Sequence, residues 1–115
     1  MYNVVQKKSF QFSVRIVNLY KYLKTEKKEY VMSKQLLRCG TSIGANVAEA
    51  QQAQSRPDFI NKLNIALKEA YETDYWLRLF YETQYLEPPS FQSIYKDCCE
   101  LEKLLISIIK SAKNK

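Results

Sequence analysis

The chain has 115 residues, enough for one domain whose core needs no disulfide or metal staple. Hydrophobic residues make up 46%, and there are only 2 glycines and 3 prolines, which excludes disordered, collagenous, multidomain and turn-rich barrel or sandwich chains. Eighteen Lys+Arg against twelve Asp+Glu give +6, a field that attracts phosphate backbones or acidic partners.

Four helical segments follow in chain order. The first is predicted from Val4 to Lys24. Phe12, Ile16, Leu19, Tyr20 and Leu23 share one face. Phe10, Val14 and Val17 form a second apolar stripe, and Lys7, Lys8, Gln11, Arg15, Asn18 and Tyr22 are left for water. A helix with two apolar faces needs two packing partners, the first sign of a subunit interface. Thr25 to Glu29 reads as a charged turn. The second helix is predicted from Tyr30 to Gln52, with Met32, Leu36, Cys39, Ile43, Val47 and Ala50 on its core face. Both glycines, Gly40 and Gly44, lie inside it and form a small-residue stripe with Ala48. Each glycine costs about 1 kcal/mol against alanine in a helix interior. A close approach of another backbone would explain that cost; a kink at Gly40 is the alternative.

Ser55, Pro57 and Asp58 open the third helix, predicted from Arg56 to Gln84, as a cap, a first-turn proline and the acid of a capping box. Phe59, Leu63, Ala66, Ala70, Thr73, Leu77 and Phe80 line its core face. Leu86 to Pro89 ends it, and Ser90 is expected to cap the fourth helix, which runs to Lys113. Phe91, Ile94, Cys98, Leu101, Leu105, Ile108 and Ala112 alternate at three and four residues, a heptad seam. Short connections make neighbours antiparallel. The expected fold is all-α, an antiparallel up-down-up-down four-helix bundle forming a single domain over residues 1–115.

The chemistry is sparse. There is no histidine, so His-based triads and histidine metal sites are absent. Cys39, Cys98 and Cys99 lack metal-site spacing, and an odd number of thiols suits a reducing, cytoplasmic setting. No signal peptide, membrane span, metal, cofactor or small-molecule substrate is expected. Two carboxylates one turn apart, Glu69 and Glu72, are the only acid–base candidates, and a charged helix face is the commoner meaning of such a pair. Six aromatics, Tyr71, Tyr75, Trp76, Phe80, Tyr81 and Tyr85, follow along the third helix. They read first as core or interface filling and second as a stacking surface for bases.

One polar constellation stands out. Arg38, Ser42, Asn46 and Glu49 make a ridge on the second helix, and Lys68, Glu69, Glu72 and Trp76 make one on the third. Arg38 is expected to meet Glu69 or Glu72, and Glu49 to meet Lys68. Together with the small residues Gly40, Gly44, Ala45 and Ala48, these ridges read as an oligomer interface or a polar network that fixes register.

The segment Tyr30 to Ala50, YVMSKQLLRCGTSIGANVAEA, and the segment Ser55 to Leu77, SRPDFINKLNIALKEAYETDYWL, resemble the signature of the 23S rRNA intervening-sequence protein family. Cys39 stands where a small residue such as serine is expected, and Tyr71 where arginine is common. The resemblance implies a four-helix bundle assembled as a ring-like homopentamer, in a family for which no enzymatic activity is established. The family in turn resembles the accessory variability protein of diversity-generating retroelements, a basic pentameric barrel that partners a reverse transcriptase and nucleic acid. The residues matching the motif are Arg38, Gly40, Ser42, Gly44, Asn46, Glu49, Lys68, Glu69, Glu72 and Trp76, which the resemblance makes structural and interface residues. The functional expectation is a non-enzymatic homo-oligomer whose Lys7, Lys8, Arg15, Lys21, Lys24, Lys27 and Lys28 neutralise RNA phosphates. A protein–protein scaffold with no nucleic-acid role is the alternative.

Overall fold

A computed structural model describes residues 2–114, and those residues form four helices and no strand. They are α1 (Tyr2–Thr25), α2 (Met32–Ala50), α3 (Arg56–Glu82) and α4 (Pro88–Lys113). The body is an elongated bundle of 47 × 21 × 19 Å. Each helix packs on its sequence neighbours, and α1 also closes against α4, so α1 and α3 are diagonal, as are α2 and α4. The α1–α4 seam is the thinnest of the four.

The core follows the apolar stripes. Phe12, Ile16 and Leu23 from α1 meet Leu36, Ile43 and Val47 from α2, Leu63, Leu77 and Phe80 from α3, and Leu101 and Leu105 from α4, all buried. Leu19, Tyr20, Phe59, Phe91 and Ala112 stay partly exposed. The second stripe of α1 is only partly covered: Phe10 is 70% exposed and Val14 47%, while Val17 is half-buried.

Gly40 and Gly44 do not break α2, which is continuous through both. They let α1 come close. A Cβ on Gly40 would lie 2.8 Å from the Ile16 side chain, and one on Gly44 would lie 3.1 Å from the Ser9 carbonyl oxygen. Buried Ser9 is the matching small residue on α1.

Two helix starts differ in instructive ways. Ser55 caps α3 as expected, its hydroxyl accepting the Asp58 N–H at 3.2 Å. Ser90, expected as the cap of α4, lies inside the helix. Pro88 and Pro89 occupy the first helical positions, where their fixed φ fits and their missing N–H costs nothing, so the helix starts after Glu87. The charged turn before α2 holds a cap the sequence reading did not find. The buried Glu29 carboxylate accepts the N–H groups of Val31 and Met32 at 3.1 Å and of Ser33 at 2.7 Å. The Ser33 hydroxyl donates back to the Glu29 carbonyl at 2.9 Å.

Burial would raise the Glu29 carboxyl pKa, but these backbone donors together outweigh it and hold the group below its ordinary value. A depressed carboxylate adds stability that is present above its unfolded pKa and is lost as pH falls through the folded value. Glu29→Ala should therefore cost about 2 kcal/mol at neutral pH, read by urea denaturation, and the gap from wild type should shrink on acidification. An unchanged midpoint at pH 7 would remove the cap from this account.

Candidate functional site

The polar ridges meet on the open edge between α2 and α3. Arg38 projects from the second turn of α2 toward two carboxylates one turn apart on α3. Its Nη1 donates to Glu69 at 2.8 Å and its Nη2 to both oxygens of Glu72, at 2.6 and 2.7 Å. Trp76 Nε1 donates to Glu72 Oε2 at 3.2 Å, which locks the carboxylate from the far side. The Arg38 hydrogen bond, chiefly, holds the Glu72 carboxyl below its ordinary pKa, and Glu72 reciprocally raises Arg38. The two terminal nitrogens of one guanidinium thus serve two carboxylates through charge-assisted hydrogen bonds, although Arg38 itself stays half exposed. Ionised and held on several sides, Glu72 is poorly placed to transfer protons. Neither Glu69 nor Glu72 lines the grooves of about 470 and 630 Å³ found elsewhere on the bundle.

The other expected members of the network behave differently. Ser42 and Asn46 bond back into α2: the Ser42 hydroxyl donates to the Arg38 carbonyl at 2.6 Å, and Asn46 Nδ2 to the Ser42 carbonyl at 2.8 Å. Glu49 pairs with Lys62 at 3.3 Å, not with Lys68. Antiparallel register explains the correction. A step along α2 from Arg38 to Glu49 moves an equal distance back along α3 from Glu72, which reaches Lys62 and leaves Lys68 about 9 Å behind. Lys68 is exposed and adds only a long-range favourable charge to Glu72.

The basic residues divide into two sets. Lys8 pairs with Glu100 at 3.0 Å, and Arg15 pairs with Asp97 at 2.7 Å and donates to the Ser93 carbonyl and hydroxyl, so both tie α1 to α4. Lys7, Lys21, Lys24, Lys27 and Lys28 are exposed. The last four crowd one end of the bundle, where α1 runs into the turn before α2. Two tyrosines stand among them: Lys24 Nζ lies 5.8 Å from the Tyr20 ring centre and Lys27 Nζ 5.9 Å from that of Tyr22. Tyr22 and Tyr30 at this end are both exposed.

Two of the three thiols are withdrawn from solvent, while Cys99 is partly exposed. Cys39 and Cys98 are buried. Burial pushes the Cys39 thiol up to about 11 and raises Cys98 further. Among the described residues no helix is long and apolar enough to cross a membrane.

A family model described as 23S rRNA-intervening sequence protein matches residues 2–107, which contain both polar ridges and every exposed lysine just named. The chain belongs to the 23S rRNA-intervening sequence protein family. The same bundle is found in a crystal structure at 1.70 Å of a protein of unknown function from the S23 ribosomal protein family of Bacteroides thetaiotaomicron. That protein is 66% identical, superposes with a TM-score of 0.93, and the match covers 95% of this chain and 97% of that one. None of the curated proteins matches the chain. For a 23S rRNA-intervening sequence protein, then, the Arg38–Glu69–Glu72–Trp76 network reads as a clamp that sets the α2–α3 register. The lysine-rich end lies outside that network and is exposed.

Proposed function

We propose that the chain is a non-enzymatic subunit of a closed ring, five copies as the family resemblance implies, that holds RNA or a ribonucleoprotein through its lysine-rich end. The observation that carries the ring is the placement of two unlike exposed apolar stripes on diagonal helices. Phe10 and Val14 mark α1, while Tyr71 and Tyr75, 50% and 52% exposed, mark α3. Two different patches on opposite corners suit a head-to-tail contact, and head-to-tail contacts close into rings when the rotation allows. A ring would repeat the lysine cluster around one rim, multiplying a weak phosphate contact. The S23 ribosomal name carried by the Bacteroides relative accords with an RNA partner. Three free thiols suit the cytoplasm.

Light scattering at micromolar concentration tests the ring, and a single-chain mass would refute it. RNA binding against salt tests the partner. Several phosphate contacts should give a steep fall of log affinity with log salt. The triple variant Lys24→Gln, Lys27→Gln, Lys28→Gln should flatten that slope by about one for each contact removed, with no change in melting temperature. These exposed lysines are a cleaner target than Lys8 and Arg15, whose loss would also unfasten α1 from α4. Equal slopes in variant and wild type would take this end out of the RNA surface. Partners that survive nuclease treatment would instead favour the protein scaffold.

A further inference from the structure

The α3–α4 seam carries a pair of carboxyl groups that neither the ion-pair clamp nor the lysine-rich end uses. Asp74 on α3 and Glu102 on α4 place carboxyl oxygens within 4.8 Å of one another, with the Cys99 thiol in the same group. One cation stands by the pair and bonds only to Asp74. Arg78 Nε donates to Asp74 Oδ1 at 2.8 Å, and the Tyr95 hydroxyl donates to the same oxygen at 3.0 Å. The Cys98 thiol lies 3.8 Å from Glu102 Oε2. Among the described residues no lysine or arginine pairs with Glu102, while Asp74 has Arg78 and is only 15% exposed at its side chain. Two carboxylates this close, partly withdrawn from water and with one positive charge beside them, are not both stable ionised.

We propose that Asp74 and Glu102 share one proton across the α3–α4 seam, and that losing it loosens the contact between the two helices. The electrostatics agree. Burial, and then the neighbouring Asp74, push the Glu102 carboxyl up to about 7. Burial would raise Asp74 too, but hydrogen bonds from Glu102, Arg78 and Tyr95 outweigh it and hold Asp74 below its ordinary value. The groups that face the pair are Arg78 from α3 and Tyr95, Cys98 and Cys99 from α4, with the Lys103 charge beside Cys99. From the flanking helices, Lys8 and Arg15 on α1 are engaged by Glu100 and Asp97, and Arg38 on α2 by Glu69 and Glu72.

The sign follows from linkage. A carboxyl raised in the folded state contributes stability that is complete below its unfolded pKa, about 4.5, and is lost as pH rises through the folded value near 7. Wild type should therefore lose ground to Glu102→Gln between those pH values and no further above them.

The deciding experiment is a carbon-13 carboxyl NMR titration of the whole protein, with Glu102 assigned through its own side-chain carbons, joined to amide exchange at two pH values. The Glu102 carboxyl should titrate near pH 7, and in Asp74→Asn its midpoint should fall toward the ordinary carboxylate range. Amides of residues 95–102 should exchange several-fold faster at pH 8 than at pH 6 after correction for the chemical rate. That excess should vanish in Glu102→Gln. A Glu102 midpoint at or below 5 would overturn the shared proton. Equal exchange excess in wild type and Glu102→Gln would overturn the loosening. Neither result bears on the ring or the RNA surface.

Discussion

Phe10→Glu should leave the bundle folded and reduce the particle to a single chain of 13.6 kDa. Phe10 is 70% exposed and contributes nothing to the core, so its loss costs the isolated subunit little. In a ring the same side chain would be buried in every interface, and a charge in its place would be desolvated without a partner. The helical content should be unchanged by circular dichroism, while light scattering should report the smaller mass. Lys96→Glu, exposed on α4 and off both the α1 and the α3 stripes, is the control and should keep the assembly. An unchanged mass in Phe10→Glu would mean that this stripe faces water.

Gly44→Leu should destabilise the subunit itself, by about 3 kcal/mol, through overpacking. The space beyond Gly44 is taken by the Ser9 carbonyl and the Ser13 hydroxyl, and the nearest obstacles include backbone, which cannot rotate away. Gly44→Ala is the informative companion. It gains about 1 kcal/mol of helix propensity and places only one carbon against a 3.1 Å contact, so it should sit close to wild type. Urea midpoints for the two variants should separate widely. Equal midpoints would show that α1 can move away from α2 at little cost.

The fold was legible because the apolar spacing is regular over four long segments. Core positions such as Ile43, Leu63 and Leu101 follow from period alone. The Arg38 clamp was also legible, because complementary charges repeat at helical spacing on adjacent helices. The pairing of Glu49 was not, since spacing on one helix says nothing about where a neighbour is in register. Glu29 was read as part of a charged turn: a long acidic side chain folding forward over three N–H groups has no short spacing signature like that of Ser55 and Asp58. The cap at Ser90 failed because two consecutive prolines are as good a beginning as an ending. Asp74 and Glu102 lie on separate helices with nothing local to connect them, and only the packed seam reveals that they stand together beside one cation.

The order of packing also shapes how the chain reaches this state. Three of the four helix contacts join sequence neighbours, and only the thin α1–α4 seam closes a long loop. Chains dominated by local contacts fold within microseconds to milliseconds. The late event should be docking of α1 onto α4, where Lys8 and Arg15 find Glu100 and Asp97 beside a groove of about 470 Å³. The reverse event should open first under denaturant. A nascent chain would thus carry its lysine-rich α1 on a half-built bundle until its last helix arrives, and salt, by weakening those two bridges, should set how long that open form lives.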